Sequence, residues 1–164
     1  IRNVVGPMDY TPAGFSAKIK DHPHLTTYAH ELALCVIYEN GILHVAEGAA
    51  FLRKMPKEVI DFLKSVPVTW DATKFIEGYP GKYTVILREK TGTFYIAGIN
   101  GERSEKKVLI SLSVLPKGKY SVELIADGRE SKDFYFSEKI CSTEDTLNVQ
   151  MLPAGGFIFK INKQ

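Results

Sequence analysis

The amino-acid sequence predicts an α+β chain in which a segment with one strand and several helices precedes an antiparallel β-sandwich. Up to about residue 66, one strand-like run is followed by helical periodicity. Residues 67–164 are almost entirely short runs of alternating apolar and polar residues, with turn residues between them. Such runs are typical of an antiparallel sandwich. We therefore expect two units, residues 1–66 and residues 67–164.

The composition is that of a globular protein and excludes several classes. Hydrophobic residues make up 45% of the chain and charged residues 24%, which argues against disorder and against a fibrous chain. A formal net charge of +2 without a basic run argues against a nucleic-acid partner. The longest apolar stretch, residues 32–38, is far shorter than the ~20 residues that cross a bilayer. Because the chain opens inside a strand-like run without a signal peptide, we expect a piece of a longer protein.

The first strand-like run, residues 2–8, ends in side chains that we expect at the mouth of a pocket. β-branched apolar residues come first, a Gly-Pro break follows, and Asp9 then stands between Met8 and Tyr10. We predict that Met8, Asp9 and Tyr10 form one wall of a substrate pocket, where burial would raise the pKa of Asp9. The alternative reading, that Asp9 caps the Thr11-Pro12 turn, stays open.

The first predicted helix is apolar nearly all round. It begins near Thr26 or Thr27, either of which can act as N-cap, and runs to about Asn40, where Gly41 is well placed to end it. Such a helix should pack on more than one side. Because the first 66 residues are too few to cover it, we expect an exposed apolar patch and possible self-association through this helix.

Two further helices are expected before the β region. One covers residues 42–52, and the other begins after Pro56, a residue favoured in the first turn. The second of them carries an apolar stripe on one side, formed by Val59, Ile60, Leu63 and Val66.

Eight strands are predicted in the second unit: residues 69–76, 82–88, 93–99, 108–114, 120–126, 133–140, 147–151 and 157–161. Residues 90–92 form a tight turn, and the two glycines of residues 78–82 form another. Asn100-Gly101 is a strong hairpin signal. The clean alternation predicts that one face of each sheet meets water.

Metal and redox chemistry find little support in the sequence. His30-Glu31 begins like a zinc-protease helix, but Leu34 stands where the second histidine must be. His22, His24 and His30 could bind a metal, although a loop followed by a polar helix start explains them better. The two cysteines, one in each predicted unit, are expected to be free and buried. We therefore predict no metal site.

The aromatic and acidic residues give no complete catalytic or binding set. Trp70 could stack on a sugar, but its position favours the seam between the two units. Three tyrosines in alternating strands fit the sandwich core or its faces better than a carbohydrate platform: Tyr95, Tyr120 and Tyr135. A glycosidase needs two carboxylates across the scissile bond, and Asp9 has no convincing partner here. The nearby glutamates do not supply this partner, because Glu31 is predicted on a helix, and Glu39 and Glu47 are predicted at the surface.

Five segments, in order, resemble the C-terminal part of glycoside hydrolase family 97. They are NVVGPMDYTP at residues 3–12, HELAL at 30–34, VPVTWDATK at 66–74, GYPGKY at 78–83 and YIAGINGE at 95–102. The resemblance is motif by motif over residues 2–102 and by strand pattern beyond.

The resemblance implies an α-glucosidase or α-galactosidase that acts on oligosaccharides. Residues 1–66 would then be the last strand and helix segment of a (β/α)8 barrel, and residues 67–164 the C-terminal all-β domain. Active sites of such barrels lie at the C-terminal strand ends, where Met8, Asp9 and Tyr10 would form a pocket wall without a catalytic role. The catalytic carboxylates would lie in the upstream barrel, and so would the ligands of the calcium that the resemblance implies. This piece alone should therefore be inactive.

Other properties rest on the resemblance or stay open. The resemblance implies a periplasmic or cell-surface protein of a Gram-negative bacterium, whose partners are the oligosaccharide substrate and its own upstream barrel. The alternative is a free-standing β-sandwich that binds carbohydrate or protein and has no activity. A structural domain that braces the barrel or forms a dimer contact is a third reading. Sugar preference and stereochemical outcome cannot be read from this chain.

Overall fold

The computed structural model of the chain describes Gly6, residues 14–16 and residues 24–164. The strand predicted over residues 2–8 lies almost wholly outside these residues. Three helices come first: α1 (Tyr28–Ile37), α2 (Ala49–Leu52) and α3 (Lys57–Ser65). Eight strands follow: β1 (Ala72–Tyr79), β2 (Tyr83–Lys90), β3 (Thr93–Asn100), β4 (Lys106–Ser111), β5 (Lys119–Asp127), β6 (Phe134–Ser142), β7 (Thr146–Met151) and β8 (Gly156–Lys163).

The strands form two antiparallel sheets. The large sheet has the order β1-β2-β3-β8-β5-β6, and the small sheet pairs β4 with β7. Apolar side chains of both sheets meet in one core, which confirms the predicted antiparallel sandwich. All eight predicted strands are present with shifted ends. Residues 112–114 form a 3-10 turn rather than the end of β4, because Ser111 caps it by accepting a hydrogen bond from Ser113 N at 3.3 Å.

The predicted turn at residues 90–92 joins β2 to β3. Thr91 and Gly92 both have positive φ, 49° and 80°, as the tightest two-residue hairpin turn requires. Asp71 steadies this turn, because its carboxylate accepts from Thr91 N at 2.8 Å and pairs with Lys90 Nζ at 2.7 Å.

The hairpin predicted at Asn100-Gly101 is wrong. The chain leaves the large sheet here and crosses to β4 in the small sheet. Asn100 is fully buried at this corner, and its Nδ2 donates to Ser104 O at 2.8 Å and to Leu152 O at 2.9 Å. Its Oδ1 accepts from Glu102 N at 3.0 Å, so the side chain holds a crossover instead of a hairpin turn.

Helix α1 packs on the face of the large sheet that the small sheet leaves free, against β3 and β8. The prediction that one face of each sheet meets water is therefore wrong for the large sheet. Eight of the ten residues of α1 are buried. The predicted exposed patch and self-association through this helix are also wrong, because the sheet covers the helix.

The other helices pack at the rim of the core that lies between α1 and the large sheet. On α3, Val59 and Phe62 are buried, and Val66 follows at its C-cap; Ile60 and Leu63 are partly buried. Helix α2 is four residues long, much shorter than the helix predicted over residues 42–52.

Trp70 and the two cysteines lie as predicted. Trp70 is partly buried in the core between helices and sheet, with its ring edge-on to Tyr95 at 5.3 Å. Cys35 and Cys141 are buried and free. Within the described residues, no helix has the length and apolar character needed to cross a membrane.

Candidate functional site: the polar junction between helix α1 and the large sheet

Asp127 fastens the N-terminal end of α1 to the sheet. It is the last residue of β5, and its Oδ1 accepts from the N-cap hydroxyl of Thr27 at 2.5 Å. Its Oδ2 accepts from Leu152 N at 2.8 Å and from Gly156 N at 2.9 Å, at the turn between β7 and β8. Burial raises the pKa of Asp127, and these three hydrogen bonds oppose the rise. One carboxylate thus ties the start of the helix to two strand ends.

His30 makes a second contact between α1 and the same turn. Its Nδ1 lies 3.1 Å from Gly155 O, and because a carbonyl can only accept, the ring donates from Nδ1. Burial lowers the pKa of His30. A Cβ on Gly156 would lie 2.7 Å from His30 Cα, and one on Gly155 would lie 2.0 Å from Asp127 Oδ2. The glycine pair therefore allows the helix to approach the turn.

Arg88 closes the opposite end of α1. Its side chain is fully buried, and it donates from Nε to Val36 O at 2.7 Å and from Nη2 to Ile37 O at 3.0 Å. Its Nη1 donates to Thr73 Oγ1 at 2.7 Å and lies 3.5 Å from a carboxylate oxygen of Glu39. The last carbonyls of a helix lack internal partners and favour a cation nearby. Helix α1 has no basic residue in its last turn, so the sheet supplies one.

The predicted pocket wall lies outside the described residues. Met8, Asp9 and Tyr10 all fall there, so their role stays a prediction. His22 falls there as well, whereas His24 Nε2 lies 3.8 Å from Glu31. Within residues 24–164, Gly6 and residues 14–16, no three metal-ligating side chains come together.

The three glutamates considered as catalytic partners each have a structural contact. Glu31 accepts from Thr26 Oγ1 at 2.6 Å, and Glu39 pairs with Arg88. Glu47 accepts from Ser16 N at 2.7 Å. Their contacts give these carboxylates a role in holding the chain together.

The tyrosines of the sandwich divide between core and surface. Tyr95 and Tyr120 are buried and cannot form a carbohydrate platform. Tyr135 is 55% exposed and borders an open cavity of about 840 Å³ beside α2, which is also lined by Phe51 and by Lys54. Two carboxylates line this cavity, Asp127 and Asp133, and Asp127 is engaged in the junction.

Sequence reasoning missed the residues that build the junction. Arg88 falls within a predicted alternating strand and is the first of three charged residues after the apolar residues 85–87. Asp127 precedes Gly128, and such a pair is typical of a turn. Neither residue type reveals that its partners lie on α1, because those partners are 52 and 100 residues away in the chain.

The fold and the sequence place this chain among the C-terminal parts of glycoside hydrolases. Residues 69–162 match the family described as "Glycosyl-hydrolase 97 C-terminal, oligomerisation", which is more than half of the chain. The chain belongs to glycoside hydrolase family 97, of which it carries the C-terminal part, and the resemblance found in the sequence is confirmed.

Two curated relatives match almost the whole chain. A probable retaining alpha-galactosidase of Streptomyces bingchenggensis is 32% identical over 157 residues, which are 95% of this chain and 24% of the relative. A retaining alpha-galactosidase of Bacteroides thetaiotaomicron is 28% identical over 173 residues, 98% of this chain and 26% of the relative. The chain thus spans about a quarter of the length of these relatives.

Solved structures share the fold. A glycoside hydrolase family 97 enzyme from Pseudoalteromonas sp. strain K8, in complex with acarbose, superposes with a TM-score of 0.84 at 22% identity. That match covers 97% of this chain and 27% of the other. The crystal structure of a beta-arabinopyranosidase gives a TM-score of 0.73 at 29% identity, over 82% of this chain and 21% of the other.

Proposed function

We propose that this chain is the C-terminal part of a glycoside hydrolase that cleaves α-galactosidic bonds of oligosaccharides with retention of configuration. The observation that carries the proposal is the 32% identity over 95% of the chain to a probable retaining alpha-galactosidase. A second relative bears the same activity in its name. The sequence alone does not distinguish α-glucosidic from α-galactosidic bonds, and the two relatives favour the second.

In this proposal the chain joins the catalytic part of the enzyme to its all-β end. Residues 1–66 are the last strand and helix segment of a (β/α)8 barrel, and residues 67–164 are the C-terminal sandwich. Met8, Asp9 and Tyr10 would then form a wall of the substrate pocket. A retaining enzyme needs two carboxylates ~5 Å apart, and these would come from the upstream barrel. The contacts of Asp127 and Arg88 would hold the sandwich firmly against the barrel's last helix.

Calcium and localisation belong to the same proposal. The described carboxylates do not fit a calcium site, since they do not cluster and several are engaged in structural contacts. The calcium that the resemblance implies would therefore take its ligands from upstream residues.

A periplasmic or cell-surface location is proposed by resemblance, and fractionation of the source cells would test it: activity confined to the cytoplasmic fraction would contradict it.

Hydrolysis by the full-length protein tests the proposed function. We expect faster release of nitrophenol from the aryl α-galactoside than from the aryl α-glucoside, and none from the 164-residue chain alone. Proton NMR of the first product should show the α-anomer, because retention preserves the configuration. Equal rates on both substrates, a β-anomer as first product, or activity of the isolated chain would each contradict the proposal.

A further inference from the structure

Strand β1 is an edge strand of the large sheet in the described part of the chain. Among the described residues, β2 is its only neighbour in the ladder. Such an edge presents alternate N–H and C=O groups that can pair with another strand. The first four residues of β1 are exposed, so this half of the strand is open to solvent.

Two aromatic side chains stand on this edge. Phe75 is 61% exposed and Tyr79 is 65% exposed. Both line a cavity of about 430 Å³ at the β1–β2 hairpin, together with Pro80 and Tyr83. Exposed aromatic rings beside an apolar cavity are typical of an interaction site, where they supply most of the buried area.

A β-bulge gives the edge a self-complementary pattern of charge. Lys74 lies opposite Leu87, and Glu77 lies opposite Val85. Val85 and Leu87 are two residues apart in one strand, so they share a face of the sheet. Lys74 and Glu77 therefore share that face too, which a strand without the bulge would not allow. When two copies of such a strand run antiparallel about a two-fold axis, the lysine of each can face the glutamate of the other.

We propose that β1 is a self-association surface and that its occupant is β1 of a second copy of the protein. The two strands pair antiparallel, so that the large sheets of both copies continue into one. The family description names oligomerisation for residues 69–162, a range that contains β1 and excludes helix α1. The inference rests on the proposed function only in taking this chain as the oligomerisation part of that enzyme.

The mass of the full-length protein in solution tests this surface. Phe75→Lys combined with Tyr79→Lys should convert a dimer into a monomer by light scattering after gel filtration, because the two copies would bring four added positive charges into the paired strands. The matched control is Tyr135→Lys with Ile140→Lys, two residues of similar exposure on the opposite edge strand β6. The control should remain dimeric. A monomeric wild type, an unchanged mass in the β1 variant, or dissociation of the control would overturn the inference.

A charge exchange tests the pairing itself. Lys74→Glu alone and Glu77→Lys alone each place like charges across the axis, and each should raise the dimer dissociation constant roughly five- to tenfold. The double variant Lys74→Glu/Glu77→Lys restores opposite charges and should return to within roughly twofold of the wild type. Additive weakening in the double variant would overturn the proposed register.

The same samples separate this inference from the proposed function. If the β1 variant is monomeric and still hydrolyses the α-galactoside, both stand. If it stays dimeric and active, the surface is wrong and the function stands. If the wild type is dimeric and the β1 variant is monomeric, but neither protein hydrolyses the α-galactoside, the surface stands and the function is wrong.

Discussion

The two faces of the large sheet are held by different kinds of interaction. Towards the small sheet, the core is apolar and joins side chains from both sheets, among them Ile96, Ile110, Leu147 and Phe159. Towards α1, apolar packing is joined by two buried charged residues, Arg88 and Asp127, one at each end of the helix. The large sheet thus forms half of the sandwich with one face and packs against helix α1 with the other.

The difference shows how each neighbour is positioned. Apolar burial is favourable but non-directional, so by itself it does not fix a neighbour at one position. Hydrogen bonds require their partners at fixed positions. The bonds of Arg88 to Val36 O and Ile37 O, and of Asp127 to Thr27, therefore fix α1 along its axis and about it.

The largest effect is expected on the sandwich face. Leu147→Ala removes a fully buried side chain and should lower the free energy of unfolding by about 4 kcal/mol, from lost burial and the cavity left behind. Urea unfolding measures this change. Leu109→Ala is the matched control on the paired strand, because Leu109 is exposed and should cost below about 0.5 kcal/mol. Equal costs at both positions would contradict the assigned core.

On the helix face, Arg88→Met should cost about 3 kcal/mol, because it leaves two helix carbonyls buried without donors. Arg88→Lys should recover less than half of this loss, since one ammonium cannot replace the fork of the guanidinium. Arg129→Met, at an exposed arginine, is the control and should be near neutral. A neutral Arg88→Met would show that apolar packing alone holds α1.

Much of the sandwich could be predicted from sequence, because alternation and turn residues are local signals. The turn at Thr91-Gly92 and the period of β5 are examples. The corner at Asn100 could not be predicted, since a buried asparagine followed by glycine has the same local appearance in the sequence as a hairpin turn. Its bond to Leu152, 52 residues away, distinguishes the two.

The helix face escaped prediction for a related reason. The apolar character of α1 correctly indicated burial on several sides, but its cover is the sheet that follows it in the chain. The alternation of apolar residues in the strands is compatible either with water or with a helix on the second face of the large sheet. The bonds of Arg88 to α1 show that a helix lies there, but its partners are distant in sequence. The pocket residues Met8, Asp9 and Tyr10 stay a prediction.

An effect of equal or smaller size is expected at Asp127. Asp127→Asn should cost about 1 to 2 kcal/mol, because the amide oxygen can still accept from Leu152 N or Gly156 N while the charge is lost. Asp127→Ala should cost more, about 3 kcal/mol, because all three donors lose their partner. Thermal unfolding of both variants checks the order. An alanine variant as stable as the asparagine variant would contradict the role of these bonds.

The smallest effect is a pH dependence at His30. Burial lowers the pKa of His30 below its usual 6.5, so the unfolded chain takes up a proton before the folded chain does. Stability should therefore fall as the pH drops below 6.5, by less than about 1.4 kcal/mol per pH unit. His30→Gln should weaken this dependence, whereas His44→Gln, at an exposed histidine, should leave it unchanged. Identical pH profiles for all three proteins would contradict the buried contact.

The central claim is that the junction makes helix α1 and the sandwich one cooperative unit. Trp70 is the only tryptophan and lies in the core between helices and sheet, with Arg88 Cζ 5.8 Å from its ring. Urea unfolding of the chain, followed by Trp70 fluorescence and by far-ultraviolet circular dichroism of the strands, tests this directly. We predict one transition with the same midpoint for both signals. A fluorescence transition that precedes loss of the strands would contradict the claim.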